Sequence, residues 1–121
     1  MINFDQWVDA ERIAARDPLI KRGDRDLWFH RIQPDFAYRC IGQSMSPTFL
    51  DGDLVFIHQQ DTCSDGQIAA VQIGELRTLK RIYHLWNGIR LSPDNKLFKA
   101  VDLIGSDADQ VKIIGIAVAR K

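Results

Sequence analysis

The sequence predicts a mostly β domain, a small coiled sheet or partly open barrel, led by a charged N-terminal arm. Three observations carry that expectation. From Phe36 onward, β-branched and aromatic residues gather in short runs separated by turn residues, a pattern of strands rather than helices. The breaks fall at Asp51-Gly52-Asp53, Ser64-Asp65-Gly66, Asn87-Gly88 and Pro93-Asp94-Asn95, residue types that tolerate tight-turn dihedrals. The chain has 121 residues, 45% hydrophobic and 26% charged: one domain with a modest core, unlike a disordered, collagenous or coiled-coil chain.

Residues 1–33 form the arm. They are densely charged with both signs, and Phe4, Trp7 and Val8 have approximate helical spacing, which predicts a short helix at the start. Pro18 discourages helix at and just before it, and residues 21–26, with Gly23, read as a solvated turn. The body, residues 34–121, is expected to hold strands at 37–41, 54–58, 67–73, 76–83, 89–92 and 111–119. The last of these is almost continuously Ile, Val and Ala. It is either a self-association surface packed across a twofold axis or a buried central strand. No internal repeat or low-complexity tract divides the chain.

Charge and composition exclude several function classes. Sixteen Lys and Arg balance sixteen Asp and Glu, so no global basic field holds a nucleic-acid backbone. DNA contact would need another segment or subunit. Cys40 and Cys63, with His30, His58 and His84, show no CxxC or HExxH spacing, and neither a metal nor another cofactor is expected. Both thiols read as reduced and structural. No apolar run approaches the roughly 20 residues that span a bilayer. The acidic start MINFDQWVDAER is unlike a signal peptide, so a cytoplasmic chain without a membrane partner is expected.

The most informative stretch runs from Ile41 through Gly42-Gln43-Ser44-Met45-Ser46-Pro47 to Asp51-Gly52-Asp53. A serine follows a glycine turn at the end of an apolar strand. Such a place exposes a hydroxyl and can turn main-chain N–H groups toward a developing oxyanion, although an ordinary turn serine has the same local sequence. A hydroxyl needs a neighbouring base to become a nucleophile. The three histidines show no carboxylate relay fixed by spacing and read as structural. Lys80 is different, because period-two alternation in residues 76–83 places it with Leu76, Thr78 and Ile82 on a largely apolar face. An ammonium held against apolar surroundings loses hydration, which disfavours its charged form, and a neutral amine is a competent general base. Snorkelling, with a buried stem and a wet head, is the structural alternative. A serine and a lysine can together form a nucleophile–base dyad.

Gly42-Gln43-Ser44-Met45-Ser46-Pro47, Asp51-Gly52-Asp53-Leu54-Val55, Asp65-Gly66-Gln67-Ile68, Thr78-Leu79-Lys80-Arg81-Ile82, Leu91-Ser92-Pro93-Asp94-Asn95 and Ile114-Gly115-Ile116-Ala117-Val118 resemble, in order and spacing, the LexA-type family of self-cleaving proteins. The resemblance runs from about Phe36 to Arg120. It implies a mostly β domain that acts on its own chain, with Ser44 attacking a peptide bond in the arm and Lys80 serving as base and then as acid. The backbone N–H groups of Gln43 and Ser44 would form the oxyanion hole. It also implies a homodimer, usually joined to an N-terminal helix-turn-helix that carries the DNA binding of a phage or SOS-type repressor. Cleavage then separates the DNA-binding heads from the dimerising body, and the avidity of two linked heads is lost. The usual inducer in the family is a RecA filament on single-stranded DNA.

Two features depart from that pattern. The family commonly cuts after alanine or cysteine and before glycine, whereas Ala15-Arg16 occupies the corresponding place here. Arginine enters a tight site less easily than glycine, so slow, relocated or absent self-cleavage is expected. Residues 1–33 are also too short for a complete helix-turn-helix, which leaves three readings: a repressor fragment, a standalone UmuD-like polymerase accessory factor, and a noncatalytic dimerisation module. A type I signal peptidase shares similar serine and lysine motifs, but its membrane anchor and its Gly-Asp-Asn-Arg-type motif are not found in the sequence.

Overall fold

The computed structural model describes residues 10–13, 27–28 and 32–121. They form a mostly β fold, as the turn punctuation and β-branched runs imply. Among the described residues, nine strands make one antiparallel sheet: β1 Ala10–Ile13, β2 Leu27–Trp28, β3 Phe36–Cys40, β4 Leu54–Gln59, β5 Ile68–Ile73, β6 Leu76–Leu85, β7 Gly88–Ser92, β8 Val101–Ile104 and β9 Val111–Arg120. Their order is β1-β3-β4-β9-β5-β6-β7-β8, with β2 paired to the end of β9. The sheet curls, so that β1 at one edge comes against β6. A short 3-10 turn, Gly105–Gln110, links β8 to β9. The helix expected around Phe4, Trp7 and Val8 lies outside the described residues.

Alternation along the strands explains where the cores sit. In β5, Ile68 and Ala70 enter a cluster with Phe36, Tyr38, Val55 and Ile57, while Ala69, Val71 and Ile73 face a second with Ile82, Leu91 and Leu103. A third cluster joins Ala37, Phe56, Ile116 and Val118. Because both faces of β4, β5 and β9 carry buried side chains, these strands read as nearly unbroken apolar runs. Each large aliphatic or aromatic side chain so buried contributes about 1.5–3 kcal/mol.

The choice left open for residues 111–119 resolves toward the core. Strand β9 pairs with β4 on one side and β5 on the other, and Ile116 is 2% exposed, so this strand is central and not a free edge. Its pairing shifts register on both sides, between Phe56 and Ile57 and between Ala70 and Val71. Gly115 fits that place because an added Cβ would stand 2.2 Å from the His58 carbonyl oxygen. Strands β1, β2 and β8 were not legible. The charged AERI of β1 has no strand alternation of its own and is recruited by pairing with β3, while β8 is only four residues long and directs Asp102 outward.

Candidate active site

The loop between β3 and β4 presents Ser44, and two kinds of interaction hold it there. Apolar anchors come first. Met45 and Phe49 are fully buried in the same cluster as Leu79 of β6, so burial of these side chains draws the loop onto the sheet beside Lys80. Polar contacts then shape the turn. Gly42 has φ +87°, a conformation that costs a side-chain-bearing residue, and its N–H donates to Asp51 Oδ1 at 2.7 Å. The Phe49 N–H donates to the Met45 carbonyl at 2.9 Å, and the Leu50 N–H to Asp53 Oδ2 at 2.8 Å. The Ser46–Pro47 peptide bond within this loop is cis.

Strand β6 supplies the second group. Its inner face carries Thr78, Lys80 and Ile82, and Lys80 is 3% exposed, so the apolar face expected from alternation is present and the ammonium head is not left in water. Lys80 Nζ lies 3.1 Å from Ser44 Oγ, 2.6 Å from Thr78 Oγ1 and 3.2 Å from the Leu79 carbonyl oxygen. Two residues distant in sequence thus meet within proton-transfer reach. Thr78, itself 1% exposed, was legible as a neighbour on the face of Lys80 but not as a partner of its amine. A side-chain torsion decides whether a hydroxyl aims along the strand, and alternation alone does not report it.

A third segment, the turn after β7, closes the site. Arg81 grips Asp94 with two hydrogen bonds, Nε to Oδ1 at 2.9 Å and Nη2 to Oδ2 at 2.8 Å, and donates through Nη1 to the Gly66 carbonyl. Thr48 Oγ1 donates to Asp94 Oδ2 at 2.6 Å. Burial raises the pKa of Asp94, but the hydrogen bonds from Arg81 and Thr48 and the Arg81 charge outweigh it and leave the carboxyl below its ordinary value. Arg81 is raised by the same pairing, mainly through its hydrogen bonds to Asp94 and against partial burial. The next residue, Asn95, donates from its backbone N–H to the Ser44 carbonyl at 3.0 Å and from Nδ2 to the Gln43 carbonyl at 2.9 Å. The sequence marked Asp94 and Asn95 as turn residues and as part of one motif of the resemblance, without a role. Nothing in the linear pattern showed which loop they would reach.

The other sequence candidates fall elsewhere. Ala15 and Arg16, the candidate cleavage residues, lie outside the described residues, as does His30. His58 and His84 do have carboxylate neighbours, supplied by tertiary pairing: His58 Nδ1 lies 3.4 Å from Asp35 Oδ2, and His84 Nδ1 2.6 Å from Asp65 Oδ1. Asp65 also accepts the His84 backbone N–H, and these two bonds outweigh slight desolvation to lower its pKa. Both are solvent-facing pairs. Cys40 is buried in the first core cluster, and Cys63 packs against the second and third; burial, followed by the Asp65 charge, pushes the Cys63 thiol up. Among the described residues, no cluster of His, Cys, Asp or Glu could hold a metal ion, and no helix is long and apolar enough to cross a membrane.

Comparison with known proteins agrees with the architecture. Residues 13–118 match a family described as Peptidase S24-like. The chain is 34% identical over 91 residues to LexA repressor 1 of Xanthomonas axonopodis pv. citri (strain 306), covering 71% of this chain and 45% of that protein. It is 41% identical over 81 residues to the LexA repressor of Thermosipho africanus (strain TCF52B), covering 66% and 39%, and 27% identical over 114 residues to the LexA repressor of Vibrio vulnificus (strain YJ016), covering 88% and 55%. The chain spans about half the length of the curated relatives it matches.

Proposed function

Because the chain belongs to the Peptidase S24-like family and carries a LexA-like repressor/peptidase domain, we propose that it cleaves a peptide bond of its own N-terminal segment with a Ser44–Lys80 dyad. The observation that carries this reading is the 3.1 Å separation between Nζ of the buried Lys80 and Oγ of the half-buried Ser44. In the proposed reaction the neutral amine of Lys80 accepts the Ser44 proton as Oγ attacks the scissile carbonyl carbon. The oxyanion is held by the backbone N–H groups of Gln43 and Ser44. The C–N bond then breaks, Lys80 returns its proton to the leaving amine, and the acyl group remains esterified to Ser44. Water hydrolyses that ester with Lys80 again as base, which restores the hydroxyl. Thr78 orients the amine through the 2.6 Å contact.

In this reading the body dimerises and a separate helix-turn-helix segment grips the operator, so that the cut converts paired DNA binding into weak half-site binding. A RecA filament on single-stranded DNA is the proposed inducer, and the cytoplasm the proposed compartment. These follow from the likeness to LexA repressors. The position Ala15-Arg16 is the proposed scissile bond, with Arg16 expected to slow the reaction. Arg16 also favours a second reading, in which the domain keeps its site geometry but serves only to dimerise.

Incubating the purified chain at rising alkaline pH tests the proposal, since only the unprotonated amine accepts a proton. A shortened product is expected, with its new terminus placed by mass spectrometry, and it should disappear in Ser44→Ala and Lys80→Ala. Identical fragments from all three proteins would remove the peptidase reading.

A further inference from the structure

The turn after β7 touches the serine loop through its backbone, and the bonds it makes have a directional consequence. A peptide unit is planar and trans, so its C=O and its N–H point in opposite directions. The carbonyl of Gln43 and the N–H of Ser44 belong to one such unit. That carbonyl accepts Asn95 Nδ2 at 2.9 Å and the Ser46 N–H at 3.1 Å, which fixes the plane and therefore the heading of the Ser44 N–H. The following unit is held in the same way, because the Ser44 carbonyl accepts the Asn95 N–H at 3.0 Å. Two donors on one carbonyl also polarise the unit and strengthen its N–H as a donor.

We infer that Asn95 is a positioning residue for the oxyanion-binding amide of Ser44, bracing the nucleophile loop from the turn that Arg81 and Asp94 lock to β6. The inference rests on the reading of Ser44 as nucleophile. The orientation of the Asn95 amide is set at both ends: Oδ1 accepts the Leu97 N–H at 3.0 Å, which leaves Nδ2 to face Gln43. An aspartate at this position would keep the acceptor for Leu97 and the backbone donor to Ser44, yet would set a carboxylate oxygen against the Gln43 carbonyl. The brace continues to the base. Asp94, adjacent to Asn95, is held by Arg81, adjacent to Lys80, and the same carboxylate accepts Thr48 of the serine loop. One turn therefore ties the nucleophile loop, the oxyanion amide and the strand of the base into a single frame.

The test is the rate at which a small fluorophosphonate labels Ser44 in the full chain, measured from neutral to alkaline pH. Labelling forms the Oγ–P bond and expels fluoride, and the phosphoryl oxygen needs the same amide as a scissile carbonyl, so the assay does not depend on Arg16. Circular dichroism well below the unfolding midpoint confirms that each variant is folded. Asn95→Ala is expected to lower the plateau rate by about ten- to a hundredfold, less than the roughly hundred- to thousandfold of losing an oxyanion donor outright because the amide is misaimed and not removed, with the pH midpoint unchanged. Asn95→Asp should lower it as well, although its turn is intact, and Lys96→Ala should label like the wild type. A folded Asn95→Ala that labels at the wild-type rate would overturn the brace and leave the dyad standing, and so would one whose pH midpoint moves while its plateau holds. Failure of the wild type to label at any pH, or equal labelling of Ser44→Ala, would overturn the parent reading and the brace together.

Discussion

The two faces of β6 carry cations in neighbouring positions and treat them in opposite ways. On the outer face, Arg81 is matched to the carboxylate of Asp94 by two parallel hydrogen bonds, an arrangement that keeps both groups charged and rigid. On the inner face, the amine of Lys80 lies against the hydroxyls of Thr78 and Ser44 and the Leu79 carbonyl, three uncharged groups. The contrast separates two uses of a basic side chain. One clamps loops together, and the other is the group that exchanges a proton in the proposed reaction.

Substitutions on the inner face should therefore alter the reaction more than the fold. Lys80→Met keeps the buried stem and removes the base; it is expected to lower Ser44 reactivity by about 100- to 10,000-fold, the range for general-base catalysis, while circular dichroism reports a folded chain. Thr78→Val is next. It should slow the reaction by roughly tenfold, because the amine loses its closest hydroxyl, and lower stability by about 1 kcal/mol in urea titration.

Substitutions in the Arg81–Asp94 clamp should cost the fold as well as the reaction, because the clamp holds the turn that braces the serine loop. Asp94→Asn breaks the charge-assisted pair with Arg81 and is expected to cost about 1–3 kcal/mol in chemical unfolding. Its pH signature has a definite sign. The folded-state pKa of Asp94 is depressed, so its contribution to stability is present above the ordinary carboxylate range and is lost as pH falls through the folded value. The acid limb of the stability curve should accordingly be shallower in Asp94→Asn than in the wild type. Smallest of all, Trp86→Ser at the β6–β7 turn should change stability by less than about 0.5 kcal/mol, because that ring is 95% exposed. A large loss from Trp86→Ser, or a catalytic loss without destabilisation from Asp94→Asn, would break the division between the faces.

The same contrast shows what the sequence could and could not reveal. Strands such as β4 and β5 were legible because their residues are β-branched or aromatic and stand between turn signals, and the face of Lys80 was legible because side chains alternate along a strand. Pairing Ser44 with Lys80 also drew on ordered motifs resembling a known family, and the structure brings the two within 3.1 Å. Thr78, Asp94 and Asn95 were visible as a strand neighbour and two turn residues within motifs of the resemblance, but their contacts were not. Their partners are set by torsions and by loop-to-loop distances that exist only after β6 and β7 pair and the serine loop docks through Met45 and Phe49. Strand β1 was hidden for a related reason: Ala10–Ile13 takes its conformation from β3, against a local composition that favours helix.

The most direct measurement is the pH–rate profile for phosphonylation at Ser44, with the labelled residue located by mass spectrometry in the wild type and in Lys80→Met. A dyad requires the label on Ser44, a rate that climbs with pH in the wild type, and loss of that climb when the amine is removed. Equal labelling in both proteins, or a label on another residue, would contradict it.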